Sequence, residues 1–147
     1  MNIMHFLTPK AQVAYIFKES TVRQGLEKMN FHGFSAIPVI DKDGRYVGTV
    51  TEGDFLWSLY NNRKPNMKKL ENTPLTSIIR RNWSAVNAGA DMGEILNTAT
   101  KQNFVPVVDD RNMFIGIITR KAIMQHLASI RTVLEDDDPP AAADGYK

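Results

Sequence analysis

Thr51-Glu52-Gly53-Asp54 sets a hydroxyl and a carboxylate three residues apart, immediately after an apolar run over residues 46–50. If a strand gives way to a helix there, both groups project from the helix N-terminus. Exposed N–H groups and the helix dipole favour an anion at that point, and a carboxylate can accept hydrogen bonds from both hydroxyls of a ribose. The same spacing makes a capping box, in which the two side chains satisfy the helix's own N–H groups and no ligand is needed. Both readings stand on the residues alone. A second stretch, Gly116-Ile117-Ile118-Thr119-Arg120-Lys121-Ala122, keeps the glycine and the threonine but has alanine in the carboxylate position and two cations beside it. Arg120, with its planar fork, and Lys121, a point charge, suit phosphate rather than ribose.

Other reactive residues do not assemble into a catalytic set. His5, His32 and His126 share no metal-ligand spacing, and the chain has no cysteine, so thiolate chemistry, thiolate metal sites and disulfides are all excluded. There is no nucleophile with an adjacent base, no pair of catalytic carboxylates and no Gly-rich phosphate loop, so the chain does not read as an enzyme and calls for no catalytic cofactor. Arg80-Arg81 could reach phosphates or simply be solvated, and Trp83 could line a cleft or anchor the core. No apolar run approaches the roughly 18 residues that cross a bilayer, which predicts a cytoplasmic protein without membrane contact. Net charge is +2, but residues 1–134 carry 17 basic against 11 acidic side chains, a body of +6 that favours an anionic ligand. No helix-turn-helix pattern or dense basic stripe suggests a nucleic-acid partner.

The elements that must position these groups occur twice. Shifted by 68 places, Ile37-Pro38-Val39-Ile40-Asp41 falls on Val105-Pro106-Val107-Val108-Asp109, and Tyr46-Val47-Gly48-Thr49-Val50-Thr51 on Phe114-Ile115-Gly116-Ile117-Ile118-Thr119. Upstream the best shift becomes 70, so the first half carries two extra residues around Phe31 to Phe34. Each half begins with a short strand, over residues 13–17 and 83–87. A helix follows, with apolar positions Val22, Leu26 and Met29 in one copy and Met92, Leu96 and Ala99 in the other. Two apolar runs then flank a turn, Asp41-Lys42-Asp43-Gly44 or Asp109-Asp110-Arg111-Asn112, and read as hairpins. A closing helix carries Phe55, Leu56, Leu59 and Tyr60, or Ile123, Met124, Leu127 and Ile130.

Such a unit cannot bury its sheet alone, so two β-α-β-β-α copies packed sheet to sheet with pseudo-twofold symmetry are expected, an α+β fold. The expected division is motif 1 over residues 3–62, a connector over 63–75, motif 2 over 76–132, and a disordered acidic tail over 133–147.

The duplicated order of apolar-Pro-Val-apolar-Asp, a turn, and Gly-apolar-apolar-Thr resembles the CBS-domain pair, or Bateman module, over residues 3–132. The first copy also completes the Thr-x-x-Asp pattern with Asp54. The combination of residues 13–16, 35–39 and 116–121 is similar to that of small bacterial CBS-pair proteins that bind cyclic di-AMP. The resemblance implies binding of an adenosyl ligand in two clefts between the copies, commonly within a homodimer. One cleft would join Thr51 and Asp54 to Trp83, Ser84, Phe104 and Val105. The other would join Thr119, Arg120 and Lys121 to Lys10, Val13, Ala14, Ser35, Ala36 and Ile37. The implied function is adenine-nucleotide sensing, with AMP, ADP, ATP or cyclic di-AMP as regulatory ligand and an effector protein as partner. Cyclic di-AMP and the linear nucleotides are equally compatible with these residues. The alternative is a ligand-independent dimerisation module with vestigial clefts.

Overall fold

A computed structural model describes residues 2–61, 66–80 and 83–137. Its strands form two sheets. The first contains β2 (Ile16–Phe17), β3 (Ala36–Ile40) and β4 (Tyr46–Thr51), in that order. The second is ordered β1 (Leu7–Pro9), β7 (Phe114–Thr119), β6 (Phe104–Val108), β5 (Val86–Asn87). In each copy a short parallel pair, β2 with β3 or β5 with β6, is bridged by a helix, α1 (Val22–His32) or α4 (Met92–Ala99). An antiparallel hairpin and a closing helix follow, α2 (Glu52–Asn61) in the first copy and α5 (Arg120–Asp137) in the second. This is the expected duplicated α+β architecture.

The two hairpin turns are equivalent atom for atom. Asp41 accepts the N–H groups of Asp43 and Arg45, both at 2.9 Å, and Asp109 accepts those of Arg111 and Met113, also at 2.9 Å. The Arg45 N–H is the main reason the Asp41 carboxyl titrates below its ordinary range. Gly44 (φ 90°) and Asn112 (φ 63°) occupy the left-handed conformation that each turn requires, which explains the choice of glycine and asparagine there. The turns also hold one another. Tyr46 N–H donates to Asn112 O at 3.0 Å, and Phe114 N–H donates to Gly44 O at 2.8 Å. Under the 68-residue shift each of these bonds maps onto the other, which makes the pseudo-twofold relation explicit.

Three apolar clusters hold the fold. One is the first copy's own core, with Ile16, Val22, Met29, Ile37, Val39, Val50 and Phe55. A second is the second copy's core, with Val86, Ile95, Val105, Val107, Ile118 and Ile123. The third lies between the sheets, where Ile40 and Tyr46 meet Val108 and Phe114. Every residue of β3 and of β6 is buried, as expected of strands covered on both faces.

Several sequence expectations need correction. The opening strands are much shorter than residues 13–17 and 83–87: only Ile16–Phe17 and Val86–Asn87 pair in a ladder. In α4 the most buried side chain is Ile95, while Met92 is only half-buried. The segment ahead of β2 does not stay with its own copy. β1 pairs antiparallel with β7, and Ile3, Phe6 and Leu7 complete the core of the second copy. In the same way Leu75, Ile78 and Ile79, which precede β5, the first strand of the second copy (Val86–Asn87), complete the core of the first. The connector contributes α3 (Met67–Asn72), whose Leu70 is buried in that core, while residues 62–65 lie outside the described residues. The closing helix continues to Asp137, into the segment expected to be a disordered tail, and residues 138–147 lie outside the described residues. Of the apolar residues on the two closing helices, Phe55 and Ile123 are buried and Leu56, Leu59, Tyr60, Met124, Leu127 and Ile130 are exposed.

Candidate functional site

The strand-to-helix junction of the first copy forms as the spacing implies. β4 ends at Thr51 and α2 starts at Glu52. Asp54 N–H donates to Thr51 Oγ1 at 3.2 Å and Thr51 N–H donates to Asp54 Oδ2 at 2.8 Å, so the capping box is present. The carboxylate does more than cap. It is 5% exposed, and its Oδ1 accepts the Arg80 N–H at 3.1 Å, which fastens the approach to the second copy onto α2. Among the described residues each oxygen accepts one N–H, and a carboxylate oxygen has capacity for a further hydrogen bond, so the cap itself leaves acceptor capacity for a ligand.

Asp54 borders a cavity of about 480 Å³ with Thr51, Trp83 and Ser84. Four of the six residues expected in this cleft therefore meet at one cavity. Phe104 and Val105 do not line it. They are buried behind it, where the Trp83 ring packs on Phe104 with centroids 4.8 Å apart. Trp83 thus borders the cavity and anchors the wall.

The remaining lining residues among those described are Gly53, Trp57, Arg80, Lys101, Gln102 and Asn103. Trp57 lies three residues beyond Asp54 and so shares its helical face, a signal present in the sequence. The Arg80 guanidinium sits 5.5 Å from the Trp57 ring centre, a cation–π contact at the cavity edge. Gln102, 7% exposed, braces the wall: its Oε1 accepts Ser84 N–H at 3.0 Å, and its Nε2 donates to Ser84 O at 2.8 Å and Phe104 O at 3.0 Å. Below it, the Tyr46 hydroxyl lies 2.7 Å from Thr49 Oγ1 and donates to Trp83 O at 3.5 Å. Burial pushes the Tyr46 phenol up to about 12, only partly offset by the Thr49 hydrogen bond.

The second cleft departs from expectation. Lys10, Val13 and Ala14 line a cavity of about 760 Å³, joined by Ala11, Gln12, Tyr15, Lys28, His32 and Phe34. Ser35 is exposed, and its carbonyl accepts the Glu52 N–H at 2.9 Å, while Ala36 and Ile37 are buried in β3. Thr119, Arg120 and Lys121 do not border the cavity. Thr119 Oγ1 caps α5 through the Ala122 N–H at 3.1 Å. The Arg120 side chain is held elsewhere: its Nε donates to Ala99 O at 2.8 Å and its guanidinium donates to Asn103 Oδ1 at 3.4 Å. A cation here satisfies the carbonyl end of α4, a role the sequence spacing does not reveal.

Two further absences concern the described residues only. Among them no cluster of His, Asp or Glu could hold a metal ion, and no helix is long and apolar enough to cross a membrane.

The duplicated sheets and reciprocal turns are those of a known domain pair. The CBS domain family model matches residues 5–61 and again residues 75–129, so the chain belongs to the CBS domain family. Among curated proteins it is 20% identical to the cyclic di-AMP receptor B of Bacillus subtilis, covering 86% of each chain. It is 25% identical to the uncharacterized protein MJ1225 of Methanocaldococcus jannaschii over 92% of this chain, and spans 50% of that protein's length. Among solved structures, CbpB in complex with c-di-AMP superposes with a TM-score of 0.84 at 26% identity, covering 94% of this chain and 91% of that one. CBSX2 in complex with AMP shares the fold, with a TM-score of 0.71 at 23% identity, covering 88% of this chain and 98% of that one.

Proposed function

We propose that this chain is a regulatory module that senses an adenine nucleotide in the clefts between its two CBS motifs and relays occupancy to an effector protein, without catalysing a reaction. The observation that carries this reading is the placement of Asp54. A carboxylate with spare lone pairs stands at a helix N-terminus, on the wall of a cavity of about 480 Å³ that Trp57, Trp83 and Arg80 also border. Acceptor, aromatic faces and cation are the groups that ribose, purine and phosphate respectively need. Cyclic di-AMP is the first candidate, because the CbpB structure carries it and the Bacillus subtilis relative is named for it. AMP is the second, by the CBSX2 complex, followed by ADP and ATP.

Two copies are proposed to associate through α2 and α5, whose Leu59, Tyr60, Met124 and Leu127 are 37%, 76%, 64% and 48% exposed. The same surface supports a second reading, a dimerisation module that needs no ligand, since Asp54 also has a complete structural role as a cap. A thermal-shift panel of AMP, ADP, ATP, S-adenosylmethionine and cyclic di-AMP separates the two. At ligand concentrations 100-fold above Kd the sensing module gains about 2.7 kcal/mol, a rise of several degrees. No shift with any of the five favours the ligand-independent module.

A further inference from the structure

Lys10 and Lys28 form a pair of cations for which the fold supplies no counter-ion. One comes from the 3-10 turn Lys10–Gln12 and the other from α1, yet their ammonium groups lie 5.5 and 5.6 Å from the centre of the same Tyr15 ring. Both side chains are half-buried, which strengthens the repulsion between them. Among the described residues neither lysine makes a salt bridge. The Lys10 ammonium lies over the first hairpin turn, 3.3 Å from where a Cβ on Gly44 would stand, but the acids of that turn are engaged. Asp41 accepts the N–H groups of Asp43 and Arg45, and Asp43 pairs with the Arg45 guanidinium at 3.1 Å. Both lysines border the cavity of about 760 Å³, and among the described residues that line it none is acidic.

The chain carries a segment of complementary charge. Residues 135–147 hold five acidic side chains and one basic, Lys147, against a body of +6. α5 leads into that segment and ends at Asp137. On α5, His126 packs edge-on to Phe6 with ring centroids 4.5 Å apart. Lys10 follows Phe6 by four residues, about 13 Å of extended chain, and Asp137 follows His126 by eleven, about 16 Å of helix. The ten residues 138–147 span up to about 33 Å, which matches those two arms even when they point apart. Tyr146 gives the segment an aromatic ring, and the rings of His32 and Phe34, parallel to within 3° with centroids 5.5 Å apart, border the same cavity.

We propose that the acidic segment 138–147 docks in this cavity of its own molecule, with its carboxylates neutralising Lys10 and Lys28 and Tyr146 resting against His32 and Phe34. The docking itself does not depend on the nucleotide-sensing reading. Where that reading holds, the segment and an anionic ligand compete for the same two ammonium groups, so the chain raises the ligand concentration needed for its own response.

The test compares the full wild-type chain with the full chain carrying Asp138→Asn and Asp144→Asn. Zero-length carbodiimide coupling of wild type, mapped by mass spectrometry, is expected to join Asp138 or Asp144 to Lys10 or Lys28, and to fall several-fold at about 0.5 M salt. A mixture of labelled and unlabelled chains shows whether the joined residues belong to one molecule. Amide NMR signals of Tyr15, Lys28 and His32 are expected to shift between the two proteins, and AMP affinity to rise about threefold or more in the variant at low salt. Coupling directed to other lysines such as Lys68 or Lys121, coupling only between copies, or identical amide spectra overturns the docking. Equal AMP affinity in the two proteins overturns the competition. If neither protein binds AMP, the sensing reading fails, and the coupling and the spectra still decide the docking.

Discussion

Gly48 and Gly116 are the same residue of the repeated motif, yet alanine should be far more costly at one than at the other. A Cβ on Gly116 would lie 2.2 Å from the Thr8 carbonyl oxygen and 2.9 Å from Leu7 Cδ1, because β1 runs directly alongside β7. Carbon–oxygen contacts settle at about 3.3 Å or more, so β1 would have to retreat by about 1 Å. A displacement of that size takes ladder hydrogen bonds out of range, at about 0.5–1.5 kcal/mol each. It also loosens Ile3, 2% exposed in the second core, whose full burial contributes about 1.5–3 kcal/mol. Gly116→Ala should therefore cost about 2–4 kcal/mol. At Gly48 the nearest atom to an added Cβ is Ile79 Cδ1, at an ordinary 3.9 Å, so Gly48→Ala should stay within about 1 kcal/mol of wild type. Urea unfolding followed by tryptophan fluorescence, at one fixed protein concentration, measures both. Equal stability of the two variants would refute the close approach of β1 and with it the exchange of N-terminal segments between copies.

Tyr46→Phe should cost about 1–3 kcal/mol at neutral pH by leaving the buried Thr49 hydroxyl without its 2.7 Å partner. It should also remove an alkaline pH dependence. Below pH 10 the phenol is neutral in both folded and unfolded chains. Above it the unfolded chain ionises first while the folded group holds to about 12, so wild type loses about 1.4 kcal/mol by pH 11 that the Phe variant keeps. Denaturant melts at pH 8.5 and 11 would show it, and parallel losses in both proteins would contradict the assignment. Gln102→Leu, which strips hydrogen-bond partners from Ser84 and Phe104, should cost about 2–4 kcal/mol and weaken nucleotide binding in the first cleft, as read by urea melts and calorimetry. Leu127→Glu should shift a dimer towards monomer in sedimentation velocity without lowering the monomer's helix content, and an unchanged sedimentation coefficient would place the interface elsewhere.

The duplication, the hairpins and the capping junctions were legible because they rest on local rules. Apolar alternation, Asp-led turns and Thr-x-x-Asp each act within a few residues. Asp54, Trp83 and Ser84 are grouped through the resemblance to the CBS-domain pair, which implies which segments face each other across a cleft. What sequence could not reveal was set by neighbours distant in the chain. β1 joins β7 across more than 100 residues. Arg120, a plausible phosphate ligand by type, is claimed by the Ala99 carbonyl at the end of α4. Trp57 is not singled out in the sequence, although its i+3 spacing from Asp54 puts it on the same helical face, and the structure brings its ring to the cavity wall beside Arg80. The exposed apolar residues of α2 and α5 fit the same 3.6-residue pattern as buried ones, so periodicity alone does not tell which of them face the core.

Isothermal titration of cyclic di-AMP and AMP into wild type and Asp54→Asn bears most directly on the nucleotide-sensing function. The expected result is saturable binding to wild type that weakens by about 1.5–3 kcal/mol when the Asp54 carboxylate is lost, in a variant that still melts cooperatively. Absence of binding by wild type at millimolar nucleotide, or the same affinity in both proteins, would contradict it.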